Sequence, residues 1–349
     1  MINNKYYKED LEKITNFNLP YEKLNNKKIL ITGANGLIAS YVVDSLMYLN
    51  LFKNYNVEVF ALCRTKEKAE KRFQEYLNNE NFNLILQDVC TPLNTNINFD
   101  YIIHAACNAH PLAYSQNPVG VINSNIVGTT NLLNYILKYK AERFMFISSS
   151  EVYGNNFEVK EFFEDSFGKI DSMNPRSCYS ESKRMAETIC ASYASQYGLD
   201  FVSVRPGFIY GATITEDNSR ADAQFLRNVL NGEDIVMKSK GEQIRSYCYV
   251  ADCVTAIFTI LLKGKNGEAY NISDNKIKVS IKEFAETLAK EGKVKLKFEL
   301  PNEVEKKGYS VIDNAVLNSD KLEKLGWQGQ YSLEKGMQQT LKILMKGII

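Results

Sequence analysis

The stretch ILITGANGLIAS, residues 29–40, decides the fold. A short apolar run stops at Gly33, turns, and continues into the helical pattern of Leu37–Leu49. Gly33, Gly36 and Ala39 keep the G-x-x-G-x-x-(G/A) spacing directly between a strand and a helix. Glycines at such a junction permit a tight turn and a close approach of backbone N–H groups to a pyrophosphate on the helix N-terminus. The motif alone is equally compatible with an ordinary strand–helix turn. Its place after the first strand of an alternating chain favours the dinucleotide reading, with Gly33, Asn35, Gly36, Leu37 and Ile38 as candidate cofactor contacts.

Outward from this loop, further β-branched or aromatic runs occur at 57–63, 83–89, 101–106, 143–149 and 201–206. Helical stretches, notably 119–139 and 181–197, separate most of them. Alternating strand and helix predicts an α/β fold, a Rossmann-type doubly wound parallel sheet that binds ligands at the carboxyl ends of its strands. Residues 1–26 read as an N-terminal helical extension broken at Pro20, and 27–206 as the dinucleotide-binding domain. After Pro206 the alternation loosens, so 207–349 reads as a smaller α+β substrate domain, with some strands and helices returning to the first.

The composition is that of an ordinary soluble globular protein: 349 residues, 45% hydrophobic, formal net charge +1. Near-neutral charge gives no footprint for nucleic acid or an anionic membrane. The seven cysteines include no C-x-x-C pair and their number is odd, which argues for free thiols in a reducing compartment. With two histidines and no Cys/His cluster, no metal site is expected. The polar first twenty residues lack the apolar core of a signal peptide, and no run reaches the ~18–20 apolar residues of a spanning helix. A cytoplasmic protein is the expectation.

At the end of the second strand, where an acid would bind the ribose 2′-OH of NAD, the sequence reads ALCRTKEK. Arg64 there, followed by Lys66 and Lys68, predicts NADP(H) over NAD(H), the alternative being a solvated basic helix start. Asp88, ending the third strand, is a candidate for the adenine edge with Val89 flanking it, although Asp also caps turns. Tyr179 and Lys183 stand four residues apart at the start of a helix, which puts phenol and ammonium on one face. A neighbouring Lys⁺ favours phenolate, and such a tyrosine exchanges a proton with a substrate hydroxyl while a nicotinamide exchanges the hydride. Some thirty residues upstream, FISSSEVYG (146–154) places hydroxyls and a glutamate at a strand end.

The motifs TGANGLIAS, HAA (104–106), NIVGTTNLL (125–133), SSSEVYG, YSESK, RPGFIYG, RSYCYVADC and NSDKLEKLGW (318–327) run in one order along essentially the whole chain. In them the sequence resembles the extended short-chain dehydrogenase/reductases of the NAD-dependent epimerase/dehydratase family, which modify nucleotide-activated sugars. The resemblance implies that Ser149 is the catalytic hydroxyl, Tyr179 the acid–base and Lys183 its partner, also holding the nicotinamide ribose. It implies cofactor contacts at Asn125, Ala105, Ala106 and Pro206, a substrate diphosphate held by Arg245, and substrate-side positions at His110, Ser150 and Phe208. A homodimer through helices such as 119–139 and 181–197 is implied in the same way.

Where family dehydratases read Thr-Asp-Glu, this chain reads Ser149-Ser150-Glu151, so the aspartate of a 4,6-dehydratase is missing. Ser-Glu after the hydroxyl, with PRSCYSESKRMAET (175–188), is similar to the UDP-glucuronate decarboxylases. Phe208, where the sugar enzymes often carry Asn, and Arg64 instead favour an NADPH-dependent keto reductase on a nucleotide-linked sugar or polyol. That reductase is the expected function. The alternative is a decarboxylase or 4-epimerase that is redox-neutral and retains its cofactor; a dehydratase or a non-catalytic dinucleotide sensor stands behind both. Glu151 is a sugar-side acid–base in the decarboxylase and a polar contact in the reductase.

Overall fold

The run Lys28–Thr32 forms strand β1, and Leu37–Lys53 forms helix α2 directly after the glycine turn. A computed structural model describes residues 1–156, 159–215, 218–299 and 314–345. Strands β2 (Glu58–Cys63), β3 (Phe82–Leu86), β4 (Tyr101–His104), β5 (Arg143–Ile147) and β6 (Phe201–Pro206) follow the predicted runs, trimmed at their ends by the loops that carry the site. Between them stand α3 (Lys66–Phe73), α4 (Pro111–Gln116), α5 (Pro118–Tyr139) and α6 (Cys178–Tyr197).

With a strand β10 (Glu268–Ile272) at one edge, all seven strands of the main sheet are parallel, in the order β10-β6-β5-β4-β1-β2-β3. The chain lays β2 and β3 on one side of β1 and the later strands on the other, so a crevice opens beyond the carboxyl ends of β1 and β4. The predicted Rossmann-type architecture is therefore the one observed. The seventh strand, β10 (Glu268–Ile272), comes from beyond residue 207 and pairs with β6. Helix α8 (Val250–Lys263) is buried along almost its whole length and packs against the same sheet.

The remaining segments build the far wall. Strands β7 (Phe208–Tyr210) and β9 (Ile244–Tyr249) pair in parallel, with β11 (Lys278–Ser280) antiparallel on the other side of β9. Strand β8 (Ile235–Met237) and helices α7 (Ala221–Leu230) and α9 (Ile281–Gly292) complete it.

Helix α1 (Lys5–Asn16) belongs to the core. Tyr7, Leu11 and Ile14 are fully buried, and the helix packs against α2, α8 and the terminal helix Leu333–Leu344. Buried Asp10 accepts hydrogen bonds from Tyr41 (2.9 Å), Tyr249 (2.5 Å) and Tyr331 (2.6 Å). Burial without these donors would be costly for a carboxylate. Burial is still the dominant influence, and it holds the Asp10 pKa above the usual carboxylate value. A second inward carboxylate, Asp44, is met by Tyr7, Tyr76 and Arg72. All seven cysteines are free.

Candidate active site

The glycine loop is built as a cradle. Gly33 has φ +63°, and a Cβ there would meet Ala106 Cα at 2.7 Å and the Ala105 carbonyl oxygen at 2.9 Å. Only glycine lets the β1–α2 turn lie this close to the end of β4. Thr32 Oγ1 locks the two strand ends together, accepting from the Ala105 and Ala106 N–H groups (3.2 Å each) and meeting His104 Nδ1 at 2.7 Å. Helix α2 begins at Gly36 without a side-chain cap, so its first-turn N–H groups are free to receive an anion.

From this cradle a cavity of about 1130 Å³ runs across the carboxyl ends of the strands. Asn35, Leu37, Ile38, Arg64, Asp88, Val89, Ala105, Ala106 and Pro206 line it, as a dinucleotide site requires. Asp88 also serves as a turn residue, its Oδ1 accepting from the Cys90 N–H at 2.8 Å. Asn125 differs from the expectation. It is fully buried behind the wall, where its Nδ2 donates to Ser182 Oγ at 2.9 Å and ties α5 to α6.

Tyr179, Lys183, Ser149 and Glu151 all line this cavity. Ser149 leaves β5 in extended conformation and its Oγ accepts from the Glu151 N–H at 3.1 Å, starting a short helical turn at Ser150–Tyr153. Buried Lys183 donates from Nζ to the Ile147 carbonyl at 2.6 Å and lies 5.8 Å from the Tyr179 ring centre. Burial raises the Tyr179 pKa, the nearby Cys107 adds to this, and the Ser149 hydroxyl opposes it. Burial likewise lowers that of Lys183. The phenol is thus shifted up and not down as the Tyr–Lys spacing implied, because desolvation dominates and the Lys183 charge is not among its main influences. His104, behind Lys183, is pushed down to about 3 by burial and then by the Lys183 charge.

On the wall built beyond residue 207, Arg245 on β9 stacks its guanidinium 4.1 Å over the Phe208 ring centre. Phe208 therefore carries an arginine in the place where an asparagine's hydrogen bond was missed. Arg220, just before α7, also lines the cavity, and neither guanidinium has a carboxylate within ion-pair distance among the described residues. Asp222 Oδ2 nearby is buried without a hydrogen-bond partner. Two such cations facing one cavity suit a polyanionic ligand. His110 lines the wall with its Nδ1 3.3 Å from Ser219 Oγ, and Ser150 lines it beside Glu151.

Sequence reasoning missed Arg220, Arg176 and Tyr114. Arg176 pairs with Glu151 through both nitrogens (3.0 and 3.1 Å), and Tyr114 stacks on Tyr179 with ring centres 4.8 Å apart. Arg176 stood inside the quoted PRSCYSESK motif. No spacing rule marks a contact made across 25 residues.

The model of the NAD dependent epimerase/dehydratase family matches residues 29–273. The chain belongs to that family. UDP-glucuronic acid decarboxylase 6 of Arabidopsis thaliana is 31% identical over 317 residues, covering 90% of this chain and 87% of that protein. UDP-glucuronic acid decarboxylase 1 of Xenopus tropicalis is 30% identical over 326 residues, covering 92% and 73%. Among solved structures, the UDP-glucose 4-epimerase of Thermotoga maritima superposes with a TM-score of 0.78 at 23% identity, over 91% of this chain and 99% of that one. As a member of this epimerase/dehydratase family, the protein is an enzyme of the extended short-chain dehydrogenase/reductase type. No helix among its described residues is long and apolar enough to cross a membrane.

Proposed function

We propose that this epimerase/dehydratase-family enzyme decarboxylates a nucleotide-diphosphate-linked uronic acid, UDP-glucuronate in the first instance. The observation that carries the reading is the Ser149-Ser150-Glu151 strand end brought against Tyr179 and Lys183, without the aspartate of a dehydratase, in a chain about a third identical to decarboxylases of that substrate. The relatives named above are decarboxylases and a 4-epimerase, which favours these over the keto reductase expected from Arg64 and Phe208, and Phe208 already has a partner in Arg245.

A bound nicotinamide would supply reversible hydride acceptance at the sugar C4. Arg220 and Arg245 hold the diphosphate and so orient the sugar. Tyr179 takes the C4 hydroxyl proton and later returns it, while Ser149 hydrogen-bonds the same oxygen. The Lys183 charge beside them favours the phenolate form that takes this proton. A ketone at C4 makes the carboxylate carbon part of a β-keto acid. Its bond to C5 breaks, CO2 leaves, and C5 takes up a proton near Glu151. The net change is loss of CO2, so the cofactor ends as it began.

That balance favours retained NAD over NADP. Arg64, the ground for expecting NADP, lies 3.9 Å from the Asp88 carboxylate, which would repel a 2′-phosphate. We also infer a homodimer through α5 and α6, whose surfaces expose Val119, Val127, Leu137 and Met185.

Incubation with UDP-glucuronate and NAD, with products read by mass, tests the function. The expected product is lighter by one CO2, with no net reduction of NAD, and Tyr179→Phe lowers the rate by ~10²–10⁴. A product of unchanged mass, one lighter by water, or one heavier by two hydrogens overturns the reading.

A further inference from the structure

Arg176 has no place in the chemistry above, yet it is built into the wall beside the reacting groups. Its guanidinium grips both Glu151 oxygens at 3.0 and 3.1 Å. The same guanidinium lies 4.4 Å over the Tyr114 ring, and Tyr114 stacks in turn on Tyr179 at 4.8 Å and 23°. The turn that carries it is fixed by Asn174, whose Oδ1 accepts from the Arg176 N–H at 2.9 Å, and by Ser177, whose hydroxyl donates to the Asp171 carbonyl at 2.6 Å. Glu151 is anchored from the other side, since its N–H donates to the Ser149 hydroxyl.

A partly exposed ion pair contributes little to stability by itself. This one joins Glu151 directly, and Tyr179 through the Tyr114 ring, to a single guanidinium. We propose that Arg176 is a positioning residue: it fixes the Glu151 carboxylate at the sugar end of the cavity, seats Tyr179 through the intervening Tyr114 ring, and shields the phenol from the glutamate charge.

The groups facing the Tyr179 phenol set the sign of the effect. Cys107, from the loop after β4, and Glu151 oppose its ionisation, as does burial. Ser149 at the end of β5 and Arg220 before α7 favour it, and Lys183 lies on its own helix. Tyr114 of α4 covers the ring face. Removing the Arg176 cation leaves Glu151 as an uncompensated negative charge, so Tyr179 ionises at higher pH.

The proposal rests on the decarboxylase reading for the substrate used to assay it. The test compares kcat and KM across the neutral to alkaline range for wild type, Arg176→Gln, Arg176→Lys, Glu151→Gln and the Arg176→Gln/Glu151→Gln pair, each checked for folding by thermal melt. Arg176→Gln is expected to lower kcat roughly 10–100-fold near neutrality, to change KM less than about 3-fold, and to move the rise of kcat with pH to higher pH. Adding Glu151→Gln returns that rise towards its wild-type position although kcat stays low. Arg176→Lys, a charge without the fork, keeps the position and recovers part of kcat.

Wild-type kcat and profile in Arg176→Gln overturn the proposal. So does a rise in KM alone, which would make Arg176 a binding residue. So does a loss of kcat with an unmoved profile, the mark of a structural role. Should the wild type act on another nucleotide sugar, the decarboxylase reading fails, and the same series on that substrate still decides the role of Arg176.

Discussion

His104 lies where β4 ends, joined to Thr32 beneath the glycine cradle and held neutral by burial. Its pKa falls from an unfolded value of ~6.5 to about 3. A depressed folded value means that the neutral ring's contribution to stability is complete above the unfolded pKa. It is lost as pH falls from there towards the folded value. His104→Gln is therefore expected to lose less thermal stability than wild type between neutral pH and pH ~5, read from melting curves. Arg64 makes the second prediction at this scale. Arg64→Asp should raise the ratio of NAD to NADP affinity in a binding titration; equal losses for both would remove the residue from cofactor choice. At this scale, legibility was uneven. Tyr179 and Lys183 could be named from their spacing on one helix and Ser149 from motif order at the end of β5, and all three line the cavity. The inward turn of Asn125 and the grip of Arg176 on Glu151 depend on which faces meet, and no local pattern encodes that.

Helices and strands were more readable than contacts. The boundaries of β1, β2, β4, β5 and β6 follow from apolar runs that end at Gly, Arg, Ala or Ser, because buried parallel strands are apolar on both faces. The helical character of residues 1–26 was equally visible, but not the destination of α1. Its inner face presents Leu11 to the core and Asp10 to three tyrosines drawn from α2, β9 and the segment after Trp327. Shortening Leu11 to Ala should cost about 2–5 kcal/mol of unfolding free energy, measured by urea denaturation. A loss below ~0.5 kcal/mol would mean that α1 is merely laid on the surface.

For the whole molecule, the exposed apolar residues on α5 and α6 carry the association prediction. Light scattering should give twice the chain mass, and Val127→Glu, set on that face at 38% exposure, should shift it to the monomer. An unchanged monomer mass for wild type would refute the interface. The parallel architecture was legible from alternation, whereas the pairing of β10 with β6 was not, since the intervening segments first build the opposite wall. That pairing bears on how the gene can be divided. A chain stopped after Pro206 keeps every motif of the nucleotide-binding half but leaves β6 as an open edge beside the surface that α8 covers. Such a fragment is a poor starting module for fusion or domain exchange. The smallest transplantable unit reaches at least to Ile272, the last residue of the strand that closes the sheet.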